Sequence, residues 1–363
     1  MGFVLQGVTF TKPSSRLQSV IISILEARNY VRPIDIASAA ISLLKFEPAI
    51  KNLFCEHAQG CISQSFHETI LALADAPLLF KLMSICPLND TELEAVFTNI
   101  RSRILASIAE TGGSSDLIVF QSALALQCFT NEYVYVENKV DRTAVQRLDT
   151  LVKKSFSNGK QPDPQSVLCL ASYKALHEYE WCNLLIVTND IEEVFARQVI
   201  EPDREARMKL DIPVLREVTD EVSSKVRQQY EQSPYPRWTN LGLAMKPATV
   251  SKVTKELNLK LVDEKINELE SPDILIAGCG TGQHSLNTAS RFKKSRVLAI
   301  DLSLSSLAYA KRKTEQLGIT NLEYMQADIL DAGKLNKKFD IVESSGVLHH
   351  MDDTRISVAL PVQ

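Results

Sequence analysis

Four short apolar runs between residues 274 and 342 constrain the fold of this chain more than any other feature of its sequence. They read ILIA at 274–277, VLAI at 297–300, LEYM at 322–325 and FDIV at 339–342, and helical segments separate them. Strands that alternate with helices at this spacing are joined by right-handed crossovers into a parallel sheet. Continuous apolar strands fit a sheet that is covered on both faces. We therefore predict an α/β fold here, with a helix from near Ser303 to a C-cap at Gly318.

The first 230 residues have a different pattern, which predicts helices. Apolar residues recur at helical spacing from Leu17 to Leu25 after a capping serine, and again from Leu93 to Ile104 after Asn89 and Asp90. Strand-like alternation is almost absent. We predict an all-helical domain over residues 1–220, a connecting segment with the sequence PYPRW over 221–245, and the α/β domain over 246–363.

Composition and charge limit which binding partners and which cellular compartment are expected for this protein. The 363 residues include 40 basic and 44 acidic side chains, and a net charge of −4 leaves no basic footprint for nucleic acid. No apolar run approaches the ~20 residues of a membrane span, and no charged segment precedes an apolar one as in a secretory signal. The seven cysteines then read as reduced thiols, which predicts a cytoplasmic protein. Cys55, His57 and Cys61 could supply three metal ligands, but no second cluster completes a zinc site, so no metal is predicted.

Three glycines, Gly278, Gly280 and Gly282, follow the first predicted strand at alternate positions. Ligands of open α/β sheets bind beyond the carboxyl ends of the strands, where these glycines lie. The dinucleotide fingerprint G-x-G-x-x-G would place its third glycine at position 283, which is Gln283. The spacing indicates that a ligand approaches the backbone closely, and a tight turn without a ligand is the alternative.

Two aspartates follow the next predicted strands. Asp301 ends the second run, where a carboxylate can accept hydrogen bonds from both hydroxyls of a ribose. Asp328 follows the third run, where a short acceptor could take the amino group of an adenine. Asp328 could equally cap the helical segment that follows it. Both interpretations of Asp328 stay open.

The segments LIAGCGTGQHS, VLAIDLS, QADILD and FDIVESSGVLHH, in this order, resemble class I S-adenosylmethionine-dependent methyltransferases. The resemblance implies a Rossmann-like sheet, S-adenosyl-L-methionine as cofactor, and transfer of its methyl group to an unidentified acceptor, a small molecule or a protein. It implies that the glycine loop lies against the methionine half of the cofactor, that Asp301 holds the ribose and Asp328 the adenine, and that residues 344–346 border the methyl group. The implied cofactor-binding residues are Ala277, Gly278, Cys279, Gly280, Gly282, Asp301, Leu302, Ala327, Asp328, Ile329 and Ser344.

The catalytic residues stay open at this point. His349 and His350 are near the position implied for the methyl group and could remove a proton near neutral pH. Methyl transfer from a sulfonium depends chiefly on alignment, however, so a general base is not obligatory.

A second resemblance covers the segment SSKVRQQYEQSPYPRW at 223–238. It resembles the segment before the methyltransferase core in bacterial proteins that carry an N-terminal helical region of the tetratricopeptide type. No 34-residue repeat is visible, so we expect helices and not repeats. Tyr230, Tyr235, Arg237 and Trp238 fit either a flap over the cofactor or substrate, or an extended linker whose Tyr235 and Trp238 pack on the core.

The resemblance also implies that the α/β domain is partial. The family's sheet normally has seven strands, and this sequence supplies about four before it continues as TRISVALPVQ. An unpaired edge at the fourth strand predicts self-association. One alternative function is therefore a non-catalytic helical interaction module that carries a degenerate S-adenosylmethionine-binding domain. Another is a nicotinamide-dependent oxidoreductase, which Gln283 argues against.

Overall fold

The computed structural model describes residues 5–27, 31–59, 68, 72–73, 76–111, 117–218, 220–232, 234–244, 246–261 and 263–347. The chain forms two compact units. One contains Met1–Pro202 and Trp238–Leu241, and the other contains Asp203–Arg237 and Gly242–Gln363. We call them the helical unit and the sheet unit.

The helical unit consists of helices and turns throughout its described residues. Its helices α1 to α9 are Ser15–Glu26, Pro33–Leu44, Pro48–Gln59, Pro77–Ile85, Thr91–Thr111, Ile118–Thr130, Lys139–Ser157, Pro164–Ala171 and Glu192–Phe195. Single 3₁₀ turns lie at Leu176–Glu178 and Cys182–Leu184, and a π-helical turn at Ala196–Ile200 follows α9. Across the described part of the chain, none of the helices combines the length and the hydropathy that a membrane span requires.

Side-chain caps and apolar faces explain why these segments are helical. Ser14 Oγ accepts from the backbone N–H of Leu17 at 3.3 Å, at the predicted start of α1. Asp90 Oδ1 accepts from two backbone N–H groups at 3.1 Å each at the start of α5. The predicted apolar face of α5 is buried in full, whereas on α1 the first residue of the stripe, Leu17, is exposed. These faces pack into a hydrophobic core among the described residues of the helical unit.

The sheet unit contains four parallel strands. They are β1 (Asp273–Ala277), β2 (Arg296–Asp301), β3 (Leu322–Gln326) and β4 (Ile341–Glu343), in the order β3-β2-β1-β4. The remaining helices, α10 to α14, are Glu201–Met208, Glu221–Gln232, Val250–Glu256, Gln283–Arg291 and Leu304–Gln316. Further 3₁₀ turns lie at Lys209–Asp211, Glu264–Glu268 and Ile329–Lys334. The predicted partial Rossmann-like fold is thereby confirmed.

The bounds of the four predicted strands and of the helix predicted from near Ser303 agree with the structure to within two residues. Helix α14 begins after its N-cap Ser303, and Gly318 lies past its end with a φ of 68°, as expected for a C-cap. The apolar run that predicted β4 starts two residues before the strand. It includes Phe339, which is fully buried in the core but precedes the strand.

The segment from Asp203 to Arg237 belongs with the sheet, which differs from the predicted domain bounds at 220 and 245. Glu205 Oε1 forms a buried ion pair of 2.7 Å with Arg312 Nε on α14. Leu215 N–H donates to the carbonyl of Gln326 at 2.9 Å, and Gln326 N–H donates to the carbonyl of Pro213 at 2.8 Å. These polar contacts hold residues 203–220 to α14 and β3, and a search for hydrophobic periodicity does not detect them.

Candidate functional site

A cavity of about 410 Å³ lies at the carboxyl edge of the sheet. Its walls come from the loop after each strand and from the segment before the sheet. The lining residues are Asp220, Val222, Ser223, Val226, Tyr230, Tyr235, Pro236, Gly278, Cys279, Gly280, Thr281, Gln283, His284, Asp301, Leu302, Ser306, Ala327, Asp328, Ile329, Leu330, Ser345, Gly346 and Val347. Open α/β sheets bind ligands at this edge, and the volume is in the range of small-molecule sites.

The three glycines after β1 all have a positive φ, but the surroundings that favour glycine differ between the three positions. A Cβ at Gly278 would lie 2.2 Å from Cγ2 of Val347, and a Cβ at Gly282 would lie 2.6 Å from Cβ of Ala310 on α14. A Cβ at Gly280 would meet no protein atom within 4 Å. Gly278 and Gly282 therefore allow close packing within the protein. Gly280 leaves free space at the wall of the cavity, so a ligand can approach its backbone.

Asp301 joins the glycine loop to the end of β2. Its Oδ2 accepts from the backbone N–H of Gly280 at 2.7 Å, and its Oδ1 accepts from that of Ser303 at 3.0 Å. Burial raises the pKa of Asp301 above its ordinary value, although the backbone hydrogen bonds oppose this shift. A carboxylate has about four acceptor positions, so both oxygens keep capacity for hydroxyl groups of a ligand.

Asp328 is both a cap and a wall of the cavity. Its Oδ1 accepts from the backbone N–H of Leu330 at 3.0 Å and starts the 3₁₀ turn Ile329–Lys334. The same residue lines the cavity and is 4% exposed. The capping interpretation is confirmed, and the adenine interpretation stays a prediction that this position allows.

The charge of the cavity wall is negative. Its acidic side chains are those of Asp220, Asp301 and Asp328, and His284 is also present. Neither lysine nor arginine is among the lining residues that the structure describes. Such a wall attracts cationic groups and repels phosphates. Over the same described residues, no three acidic, histidine or cysteine side chains are grouped so that they could hold a metal ion. Cys61 of the possible metal-ligand set lies outside the described residues.

Residues 274–361 match a family of methyltransferase domains. This chain carries a methyltransferase domain. With the parallel sheet, the match supports the prediction of a class I, S-adenosylmethionine-dependent methyltransferase domain.

Curated relatives match part of this chain, and two of the following three are named as methyltransferases. An uncharacterized protein of Synechococcus sp., syc1184_c, is 34% identical over 87 residues, which are 24% of this chain and 21% of that protein. The malonyl-[acyl-carrier protein] O-methyltransferase of Acetivibrio thermocellus is 32% identical over 106 residues, 28% of this chain and 35% of that enzyme. The release factor glutamine methyltransferase of Rhodopirellula baltica is 28% identical over 96 residues, 25% of this chain and 32% of that enzyme. The chain thus spans about a third or less of the length of these relatives.

The structure brings most of the predicted cofactor-binding residues of the methyltransferase domain together. Those that line the cavity are Gly278, Cys279, Gly280, Asp301, Leu302, Ala327, Asp328 and Ile329. Three do not line it. Ala277 is fully buried at the end of β1, Gly282 packs on α14, and the Oγ of Ser344 is buried without a hydrogen-bond partner among the described atoms. Ser345 and Gly346 line the cavity beside Ser344.

The sequence did not predict His284 as a site residue. Its Nε2 lies 2.8 Å from Oε2 of Glu343 at the end of β4, and Thr288 Oγ1 donates to the same oxygen at 2.6 Å. Burial alone would raise the pKa of Glu343, but the hydrogen bonds from His284 and Thr288 outweigh it and lower that pKa. Pairing of β4 with β1 brings the two residues together. The predicted histidines 349 and 350 lie outside the described residues.

The segment before the sheet supplies the remaining wall of the cavity. Tyr230 on α11 and Tyr235 in the PYPRW sequence both line the cavity, and Thr281 Oγ1 donates to the carbonyl of Pro236 at 2.9 Å. Trp238 is buried and is grouped with the helical unit. The flap interpretation therefore fits Tyr230 and Tyr235, and the core-packing interpretation fits Trp238.

Proposed function

We propose that this chain transfers a methyl group from S-adenosyl-L-methionine to a small molecule or a protein. The observation that carries the proposal is a cavity at the carboxyl edge of the sheet with Asp220, Asp301 and Asp328 in its wall and no lysine or arginine among its described lining residues. S-adenosylmethionine carries a sulfonium and an ammonium against a single carboxylate, so it is a net cation, which the carboxylates of the wall attract. The pyrophosphate of a nicotinamide cofactor would meet carboxylates with no cation to offset them, which supports the methyl donor over that alternative.

The residues of the cavity fit this cofactor. The open side of Gly280 admits the methionine half against the backbone, and Asp301 has acceptor capacity for two ribose hydroxyls. Asp328 keeps one carboxylate oxygen besides its capping atom for the adenine amino group. When bound, the cofactor supplies an electrophilic methyl group. The chain's own residues hold and align it, and alignment accounts for most of the acceleration of such a displacement.

The proposal also includes the methyl acceptor, the type of the N-terminal region, the cellular location and the self-association of the chain. Two relatives are named for a release factor and for an acyl-carrier protein, and the net charge of −4 gives nucleic acid no support as an acceptor. An N-terminal region of the tetratricopeptide type is supported only by the helices of the described residues before Pro202. Cytoplasmic location and self-association through β4 stay predictions, and light scattering on the full chain tests the second.

The first experiment is calorimetric titration of the full chain with S-adenosylhomocysteine and with NADH. We expect binding of one S-adenosylhomocysteine per chain and no heat of binding for NADH. NADH binding tighter than that of S-adenosylhomocysteine would contradict the proposal.

The second experiment tests turnover. Methyl-labelled S-adenosylmethionine is incubated with the chain and with the protein and small-molecule fractions of a bacterial extract, and label transfer is measured. We expect label in one fraction, with release of S-adenosylhomocysteine. Cofactor binding without transfer to either fraction would favour the non-catalytic interaction module.

A further inference from the structure

One face of helix α11 is a wall of the cavity. Val222, Val226 and Tyr230, at positions i, i+4 and i+8 of the helix, all line it. Residues at this spacing lie on the same side of a helix. The position of α11 relative to β2 and β3 therefore determines the width of the proposed cofactor site.

Glu231 fastens this helix to the first turn of α14. Its Oε1 accepts from the backbone N–H of Leu304 at 2.8 Å, and its Oε2 accepts from that of Ser305 at 2.9 Å. The carbonyl of Glu231 accepts from Ser305 Oγ at 2.8 Å, and the carbonyl of Tyr230 accepts from Ser303 Oγ at 3.1 Å. A carboxylate that accepts from free N–H groups at a helix N-terminus is also favoured by the helix dipole.

The same turn carries Asp301. The backbone N–H of Ser303 donates to Asp301 Oδ1, and the next two N–H groups along the chain donate to Glu231. Lys209 Nζ lies 3.6 Å from Glu231 Oε2 and donates to Ser305 Oγ at 2.6 Å, which offsets the charge of the carboxylate. The helical wall and the proposed ribose-binding carboxylate are thus held by consecutive residues of one turn.

We propose that Glu231 is a positioning residue for the methyltransferase site, which keeps α11 in place as a wall against which the cofactor binds. This inference rests on the proposed function for the identity of the ligand. Glu231 does not line the cavity. Its effect on the cofactor is therefore expected to pass through the position of α11 and the 301–305 turn.

The test compares Glu231→Ala and Glu231→Gln with a control on the same helix, Glu221→Ala. Glu221 is exposed, does not line the cavity, and pairs with Lys225 within the helix. We expect Glu231→Ala to increase amide hydrogen exchange in residues 221–232 by about tenfold and to weaken S-adenosylhomocysteine by about tenfold. Glu231→Gln keeps one acceptor oxygen, so its effects are expected to be smaller, and Glu221→Ala is expected to change neither quantity.

The two readouts separate this inference from the proposed function. Exchange is measured without ligand, so it tests the attachment of α11 even if the wild-type chain binds no S-adenosylhomocysteine. If Glu231→Ala shows wild-type exchange in residues 221–232 and wild-type affinity for S-adenosylhomocysteine, the inference is overturned. The proposed function is not affected by that result. Faster exchange of β1 to β3 in Glu231→Ala would mean that this variant destabilises the whole sheet. Glu231→Gln is then the deciding variant, and wild-type exchange and affinity in Glu231→Gln would overturn the inference.

Discussion

The two units both bury charged side chains, but the charges face different surroundings. In the helical unit, Arg101 is 2% exposed and its guanidinium donates to the carbonyls of Tyr135, Val136 and Ser172 at 3.0 to 3.2 Å. It also lies over the ring of Tyr173, 4.3 Å from the centroid. In the sheet unit, Asp301 accepts from two backbone N–H groups and borders a cavity.

This difference separates structural charges from charges available to a ligand. Both terminal nitrogens of the Arg101 guanidinium donate to carbonyls of its own unit, and the group lies over an aromatic ring, so its charge stabilises the fold. The carboxylate of Asp301 holds a loop and keeps free acceptor positions at the cavity. Substitutions in the helical unit should therefore change stability without changing cofactor affinity, and substitutions at the cavity should change affinity first.

The largest effect is expected for Gly280→Val. A Cβ at this position would meet no protein atom within 4 Å, so a side chain there starts in the space where the cofactor would approach the backbone. We expect affinity for S-adenosylhomocysteine to fall by about a hundredfold or more, with no change in the helical unit. Calorimetry measures the affinity. Tryptophan fluorescence measures unfolding of the helical unit, because Trp181 and Trp238 both belong to it.

Gly318→Val is the matched control. Gly318 has a φ of 68°, compared with 51° at Gly280, its Cβ would also meet no atom within 4 Å, and it does not line the cavity. Both variants therefore have a β-branched residue in left-handed backbone. If Gly318→Val lost as much affinity as Gly280→Val, backbone strain and not obstruction of the ligand would be the cause.

A second prediction tests the structural charge. Arg101→Met leaves three carbonyls without this donor, those of Tyr135 and Ser172 in buried positions, which should lower the free energy of unfolding of the helical unit by about 3 kcal/mol. Urea denaturation followed by tryptophan fluorescence measures this loss, and S-adenosylhomocysteine affinity should stay unchanged. The control is Arg142→Met, at an exposed arginine 3.8 Å from Glu137. It should lower the free energy of unfolding by only about a few tenths of a kcal/mol. A loss of affinity in Arg101→Met would contradict the separation of the two kinds of charge.

The third prediction concerns the ligand-facing charge. Charge-assisted hydrogen bonds contribute about 1.5–3 kcal/mol each, so Asp301→Ala should weaken S-adenosylhomocysteine by roughly ten- to a hundredfold. Asp301→Asn keeps one acceptor oxygen and should lose less. Calorimetry on the three proteins checks this order, and equal affinities would remove Asp301 from the site.

Most of the sheet unit could be predicted from the sequence because its signals are local. Apolar runs predicted β1 to β4, and Ser303 and Gly318 predicted the ends of α14. The positions of the glycine loop, Asp301 and Asp328 at one edge follow from the parallel arrangement of the strands.

The polar contacts between distant segments could not be predicted in this way. His284 and Glu343 are 59 residues apart, and Glu231 is 73 residues from Leu304. Hydrogen bonds and ion pairs have no sequence period, so the sequence does not indicate the attachment of residues 203–237 to the sheet. The glycine motif predicts cofactor contact for Gly282, but a motif does not distinguish a glycine that packs on α14 from one that faces a ligand.

The smallest expected effect belongs to a structural charge inside the sheet unit, Asp273 at the start of β1. Hydrogen bonding from Arg296 at 2.9 Å, with Lys337 also at 2.9 Å, lowers the pKa of Asp273 to about 2, although burial opposes the shift. Because the folded-state pKa lies below the unfolded value of about 3.9, the stabilisation is present above pH 4 and is lost as the pH falls towards 2. Arg296 and Lys337 are both substantially exposed, so screening limits the contribution to about 1 kcal/mol.

Asp273→Asn should therefore destabilise the sheet unit by about 1 kcal/mol at pH 7, and the difference from wild type should disappear near pH 2. Denaturant-dependent hydrogen exchange of the β1 and β2 amides measures this difference at each pH. Glu270→Gln, at an exposed residue 3.6 Å from Lys294, is the control and should have almost no effect. S-adenosylhomocysteine affinity at pH 7 should match wild type, because Asp273 lies at the opposite end of β1 from the glycine loop. A loss of stability that is the same at pH 7 and pH 2 would show that the charge of Asp273 is not its cause.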